Sequence, residues 1–461
     1  MGIGVHAVVS STQGDRPDPG SVHVVVLLYG SRGDIQPGVC LILELIARGY
    51  RVTALVPPNL VDFTRSAGVP HVRSVGSDSS HQWTSEEALE SLRSRNPWTR
   101  WRFTVDTALE SLRNFDDDLV SLFVGTDGQA PAVADVGALV VAPLCQDRGE
   151  AIAERLGIPM TSLRFAPMSP NTTYSPLPGI WSSTSPRATL RAWRIFDRVV
   201  WMAMSRGVNR FRRRLGLPKA RAPLATRLRD KGIRQIQAYD PAVVPTLAQE
   251  WGSLRPIVGY LDLPRAKLAG LDEVGAGDER LLAWLAAGDA PLFASFGSLP
   301  VAYPATTRHT LRAAAAEHGL RCVFAIGGEP GPDPDDPDVY HVGAVDHAWL
   351  LPQCAAAVHH GGAGTTAACM RAGIPSAIYA IAAEQPFWAE RVRDLGLGTG
   401  RRFSALNPDT ASHDVAVLID PVTVGAARDF AAKMIDPAQA VSTAADVVTS
   451  SIGRIPAAQP L

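Results

Sequence analysis

The 461-residue chain has very little lysine and little cysteine. Lysine occurs only at Lys219, Lys231, Lys267 and Lys433, so the positive charge is almost all arginine. A formal net charge of −1 favours neither nucleic acid nor an acidic membrane as the main partner. The five cysteines, at 40, 145, 322, 354 and 369, form no CxxC and no metal-ligand spacing. That excludes a disulfide framework and the common zinc patterns, and it fits a reducing, cytoplasmic location. No run reaches the roughly 18 apolar residues that a membrane-spanning helix needs. Residues 1–21 carry Asp15, Arg16 and Asp18 among prolines and glycines, without a charged-then-apolar leader pattern, and read as an N-terminal extension. What remains is 46% apolar and 19% charged, which suits two or three globular domains.

The most informative stretch is 355–372. An apolar strand runs into His359-His360, then Gly361, Gly362 and Gly364, then Thr365-Thr366 and an Ala-rich helix start. Clustered glycines let backbone amides approach an anion, and the following helix aims its positive end at the same point. His360, Thr365 and Thr366 add side-chain donors. Together they make a diphosphate seat that needs no metal. The same letters also satisfy the GxGxxG/A dinucleotide fingerprint, with Glu384 near the spacing expected of a ribose-binding acid. From the residues alone, a sugar nucleotide and NAD both stay open.

The rest of the chain alternates strands and helices. Val22 to Tyr29 is a nearly continuous apolar strand, the kind buried on both faces of a parallel sheet. Gly30-Ser-Arg-Gly-Asp34 turns the chain, Pro37 suits a first helical residue, and Gly49 stops that helix. Further strands are expected at 51–56, 138–143, 159–165, 291–296, 322–326, 339–342, 355–359 and 376–380. This spacing predicts an α/β protein of two doubly wound domains, with ligands at the carboxyl ends of the strands. The expected division is an extension at 1–21, a first domain at 22–238, a linker at 239–264, a second domain at 265–440, and a terminal helix and tail at 441–461. Residues 78–125, with Trp83, Trp98, Trp101 and Phe103, and residues 166–186, with Tyr174 and Trp181, suit either core packing or a bulky apolar ligand. Arg206 to Leu217 reads as a basic helix, with a solvated face favoured over a phosphate or membrane role. Asp333-Pro-Asp-Asp-Pro-Asp338 reads as an exposed turn rather than a Mg²⁺ or Mn²⁺ site.

Four landmarks occur in order: Gly30-Ser-Arg-Gly-Asp-Ile-Gln-Pro37; Ala294-Ser-Phe-Gly-Ser298; Val345-Asp-His-Ala-Trp-Leu-Leu-Pro-Gln353; and His359-His-Gly-Gly-Ala-Gly-Thr-Thr366 with Glu384-Gln-Pro386. Over residues 22–450 the set resembles family 1 glycosyltransferases of the GT-B fold. It is similar to bacterial enzymes of antibiotic biosynthesis that act on glycopeptide, macrolide and glycolipid aglycones, and to sterol 3β-glucosyltransferases. The resemblance implies two facing Rossmann-like domains and an NDP-sugar donor carrying UDP or dTDP. It further implies an apolar small-molecule acceptor and no metal or other cofactor. Transfer would be inverting, and a GT-B sugar-nucleotide epimerase is the principal rival. It decides against an NAD-dependent oxidoreductase, whose fingerprint belongs in a first βαβ unit.

Carried over by position, the resemblance implies that His360, Gly362, Gly364, Thr365 and Thr366 hold the diphosphate, with Ser298 in support. Val345 and Trp349 would border the nucleoside base, although Trp349 also suits a core position. Glu384 and Gln385 would meet the donor-sugar hydroxyls; relatives more often carry Asp-Gln there. Asp34 is the expected catalytic base, because no histidine follows the first strand as it does in plant relatives. The alternative for Asp34 is a cap on the helix that follows.

Overall fold

The computed structural model describes residues 18–79, 112–125, 130–263, 278–297 and 304–452. Ser298, Trp83, Trp98, Trp101, Phe103 and residues 1–17 of the N-terminal extension lie outside these. Two parallel sheets organise the chain. The first contains β1 (His23–Leu27), β2 (Arg51–Val56), β3 (Val72–Ser74), β4 (Val136–Val141), β5 (Met160–Arg164) and β6 (Arg234–Gln237), in the order β3-β2-β1-β4-β5-β6. The second contains β7 (Leu292–Ser295), β8 (Cys322–Ala325), β9 (Gly331–Pro332), β10 (Val339–His341), β11 (Ala356–His359), β12 (Ser376–Ala380) and β13 (Gly398–Arg402). Its order is β13-β12-β11-β7-β8-β10-β9, and only the β9–β10 pair is antiparallel. The architecture is α/β with two doubly wound, Rossmann-like sheets.

The apolar run of β1 explains its central place. Val24 and Val26 pack into one core layer, while Val25 and Leu27 pack into the layer on the opposite face. The helix after β1 spans Arg32–Ala47 and so begins well before Pro37. Ser31 is its N-cap, and the Ser31–Asp34 capping box fixes that start, leaving Pro37 inside the helix. The basic helix is also longer than 206–217. It runs over Pro186–Arg214, with Ser185 as N-cap and Pro186 in the first turn.

Two features tie the halves together. The last helix, Pro437–Ile452, returns to the first sheet, where Ala444, Val448 and Ile452 share a core with Val24 and Ile42. Arg48 fastens it by donating to Asp446 Oδ1 at 2.6 Å and Ser442 Oγ at 2.8 Å. Between the sheets, Asp262 accepts from Arg371 Nη1 at 2.7 Å and from Gln36 Nε2 at 3.4 Å. The pair is only partly exposed, 25% for Arg371 and 28% for Asp262, which keeps it from being fully screened. Asp262→Ala is expected to lower unfolding free energy by about 1–2 kcal/mol in urea titration. An unchanged midpoint would mean this bridge does not help hold the halves.

Candidate active site

Both sheets reverse their strand order next to their first strand, between β1 and β4 and between β7 and β11. Loops leaving the carboxyl ends of such neighbours splay apart and leave a crevice. In the second half, His359 of β11 lies in register with Ser295 of β7 and Ile378 of β12. The loops that follow therefore bring together Gly297, His360–Gly362 and residues 381–385.

The glycine-rich turn is built by its neighbours. Gly361 adopts φ +88°, and its N–H donates to His359 Nδ1 at 3.1 Å. A Cβ on Gly362 would lie 2.5 Å from His360 Nε2, so glycine there makes room for the imidazole. Helix Ala363–Ala372 starts directly after Gly362, which provides no side-chain cap. Among the described residues its first amides have no side-chain cap, and they lie at the positive end of the helix. Gly364 is exposed and Thr365 half-buried. Thr366 is buried, and its hydroxyl donates to the Gly362 carbonyl at 2.9 Å, so its proton is engaged within the first helical turn.

Burial pushes His360 down to about 4; the Ser295 carbonyl beside the ring opposes this, and the His347 ring adds to it. Nδ1 of His360 nevertheless makes no well-formed hydrogen bond. Burial likewise holds His347 at about 4, with the Arg32 guanidinium adding to the shift. Both rings are neutral at pH 7. Arg32 belongs to the first half, so its charge acts on His347 from the other side of the gap.

Asp34 occupies that facing side. Its Oδ2 accepts from Ser31 N at 2.8 Å and Ser31 Oγ at 3.0 Å. Gly30, at φ +134°, lies so close that any Cβ there would strike the Asp34 carboxyl. Oδ1 takes no part in the cap. Burial raises the Asp34 pKa, and the two Ser31 hydrogen bonds oppose the rise. Capping and an open carboxylate oxygen thus coexist on one side chain. Opposite, Glu384 is pushed up to about 7, chiefly by burial, and the Asp34 charge contributes to the rise. These two carboxyls sense each other across the gap.

Other expected site residues sit differently. Gln385 is buried, and its Oε1 accepts from Ile381 N at 2.7 Å and Ala382 N at 3.0 Å, leaving its amide NH₂ as the group it can offer. Val345 and Trp349 pack in the core with Phe293 and Tyr340. Only an edge of each, together with the adjoining backbone, remains for a base. In the acidic turn, Arg312 bonds Asp336 at 2.7 Å and Asp338 at 3.0 Å, and His341 Nε2 lies 2.8 Å from Asp333. Its carboxylates are largely engaged.

Sequence reasoning did not place the loop 166–181. It reaches across to the helix Gln385–Asp394: Tyr174 meets the Phe387 ring edge-on at 5.4 Å, and Gly179 N donates to Glu390 Oε1 at 2.5 Å. Arg402 Nη2 completes the clasp on the Gly179 carbonyl at 3.1 Å. Leu177, Ile180 and Trp181 stay exposed beside it. The Pro- and aromatic-rich composition of 166–186 was the only signal available.

The chain is similar to known glycosyltransferases. The glycosyltransferase family 28 N-terminal domain matches residues 24–175, and the erythromycin biosynthesis protein CIII-like C-terminal domain matches residues 332–453. An uncharacterized glycosyltransferase of Mycobacterium tuberculosis is 35% identical over 432 residues, 93% of this chain and 99% of that protein. A sterol 3-beta-glucosyltransferase of Arabidopsis thaliana is 27% identical over 433 residues, 92% of this chain and 67% of that protein. Among solved structures, the glycotransferase of kitacinnamycin aligns with TM-score 0.65 at 18% identity, covering 94% of this chain and 100% of that one. The glycosyltransferase VinC in complex with dTDP aligns with TM-score 0.59 at 17% identity, covering 93% and 99%.

The facing carboxyls give a direct check. Glu384 is expected to titrate near 7 by side-chain carbon NMR, and Asp34→Asn should move that titration to lower pH by removing a neighbouring negative charge. A Glu384 titration unmoved by the substitution would place the two groups out of electrostatic reach.

Proposed function

Because the chain belongs to the GT-B glycosyltransferases, we propose that it transfers a sugar from a UDP- or dTDP-sugar to a hydroxyl of an apolar acceptor, with inversion and without a metal. The observation that carries this reading is the opposition of Asp34, from one half, to Glu384 and the uncapped helix Ala363–Ala372, from the other. Nucleophile activation and leaving-group stabilisation thereby fall on opposite sides of one gap. The dTDP held by VinC supports a pyrimidine donor.

The acceptor oxygen attacks the anomeric carbon as its proton passes to Asp34. The bond from that carbon to the phosphate oxygen breaks, and its electron pair leaves with the nucleoside diphosphate. A single displacement inverts the configuration. Charge growing on the diphosphate is met by the helix amides and by the neutral His360, both oriented before reaction. Thr365 would add a hydroxyl donor; Thr366 acts through the turn it braces. Gly362 and Gly364 keep the turn narrow enough for close approach, and Ser298 would complete the seat from the β7 loop. Val345 and Trp349 would border the base by backbone and indole edge. Glu384 and the Gln385 amide would meet sugar hydroxyls, Glu384 with both protonation states available near neutral pH. A raised Asp34 pKa makes the carboxylate a better proton acceptor, at the expense of its charged fraction at low pH.

Leu177, Ile180 and Trp181 offer the acceptor an apolar mouth beside the donor-sugar helix. The five cysteines are buried and unpaired, which supports a cytoplasmic location.

Asp34→Asn is expected to reduce transfer at least a thousandfold while leaving UDP and dTDP affinity within a few-fold, read by product mass spectrometry and calorimetry. Near-native turnover would remove Asp34 from the chemistry. Product formed from donor alone, without acceptor, would instead favour the epimerase.

His360→Ala is expected to lower turnover about a hundredfold, corresponding to loss of about 3 kcal/mol of transition-state stabilisation, and to weaken nucleotide binding. EDTA should leave the rate unchanged. A strict Mg²⁺ or Mn²⁺ requirement would overturn the dipole-based seat.

A further inference from the structure

We propose that the outer face of helix Pro186–Arg214 docks the protein on an anionic lipid membrane surface. The helix is anchored at its two ends: Thr189 and Trp193 are buried near the start, and Val208, Phe211 and Arg212 near the end. No residue from 194 to 207 is buried. Along this middle, where Trp201 lies under the Arg227 guanidinium and Val200 and Met204 are exposed on the other side, Ile195 is 65% exposed, Val199 53% and Met202 63%. Their spacing of four and three residues sets them in one stripe.

The charge around the stripe selects the partner. At about 100° per residue, Arg191, Arg198 and Arg206 fall within about 60° of the Ile195 direction and flank the apolar side chains. Asp197 is the only carboxylate in the helix; it points to the opposite side, half-buried toward Arg164 and Arg255. Arg212 and Arg214 are engaged elsewhere, Arg212 with Glu150 and Glu154 and Arg214 with Asp117. Among the described residues, no carboxylate pairs with Arg191, Arg198 or Arg206. Exposed aliphatic side chains bordered only by arginine are the pattern of a helix lying in a headgroup layer, with arginine stems covering apolar surface and guanidiniums reaching phosphate. The protein carries almost no net charge, so this attraction is local to one face. The inference stands on the helix alone and does not rest on the transfer chemistry.

The test uses the full chain and vesicles of phosphatidylcholine, with or without phosphatidylglycerol, read by co-sedimentation. The wild type should pellet with the phosphatidylglycerol vesicles, and raised salt should release it. Ile195→Ser/Val199→Ser/Met202→Ser and Arg191→Gln/Arg198→Gln/Arg206→Gln should each lower partitioning more than tenfold. Both variants change exposed side chains and should keep the native unfolding midpoint and the rate of transfer to a soluble acceptor. Absence of binding to anionic vesicles, or variants that bind like the wild type, would overturn the proposal. So would a self-associated wild type that the serine variant makes monomeric, since a second copy would then cover the face. Loss of transfer activity with vesicle binding intact would overturn the enzymatic reading and leave this one standing.

Discussion

Desolvation of ionisable groups in the gap between the sheets is the constraint on which the site depends. It moves acids and bases in opposite directions with one effect. Asp34 and Glu384 rise, the latter to about 7, while His347 and His360 fall to about 4. Each shift favours the neutral form. The gap therefore offers fixed dipoles, among them the start of helix Ala363–Ala372, which has no side-chain cap. An incoming diphosphate would meet donors that are already oriented and need not reorganise as charge develops.

Asp34 shows how one side chain meets two demands. Its Oδ2 accepts both Ser31 hydrogen bonds and so fixes where the first helix begins. That anchoring holds the carboxyl in one place, with Oδ1 left outside the cap. A cap and a base are usually competing explanations for an aspartate after a strand. For the base proposed above, the cap would supply the required rigidity, because a carboxylate free to rotate would lose alignment with the acceptor. The crowding of the carboxyl against Gly30 adds to the restraint.

The two halves are joined at several places, each of different character. The terminal helix crosses back to the first sheet through apolar packing, and Asp262 links Gln36 to Arg371 through polar contacts. The loop 166–181 reaches the helix Gln385–Asp394 through an aromatic edge and two hydrogen bonds around Gly179. This last contact lies next to Glu384 and Gln385. Backbone of the first half and the helix that follows Glu384 thus form one packed unit.

The sequence by itself determined the layering: continuous apolar strands such as β1 can only be buried on both faces, and their alternation with helices leads to parallel sheets. It also located the His359–Thr366 turn, since three clustered glycines before a helix have a narrow set of uses. Helix starts at Arg32 and Pro186 were written in Ser31 and Ser185, although Pro37 also suits a first helical residue. Tertiary structure alone decided that Asp34 faces Glu384 and that Trp349 is a core residue with an edge to spare. It also decided that arginines on one helix divide between buried ion pairs and an open face. These are outcomes of long-range packing: a local pattern states which groups a segment carries, whereas their partners, solvation and charge are set by elements distant in the chain.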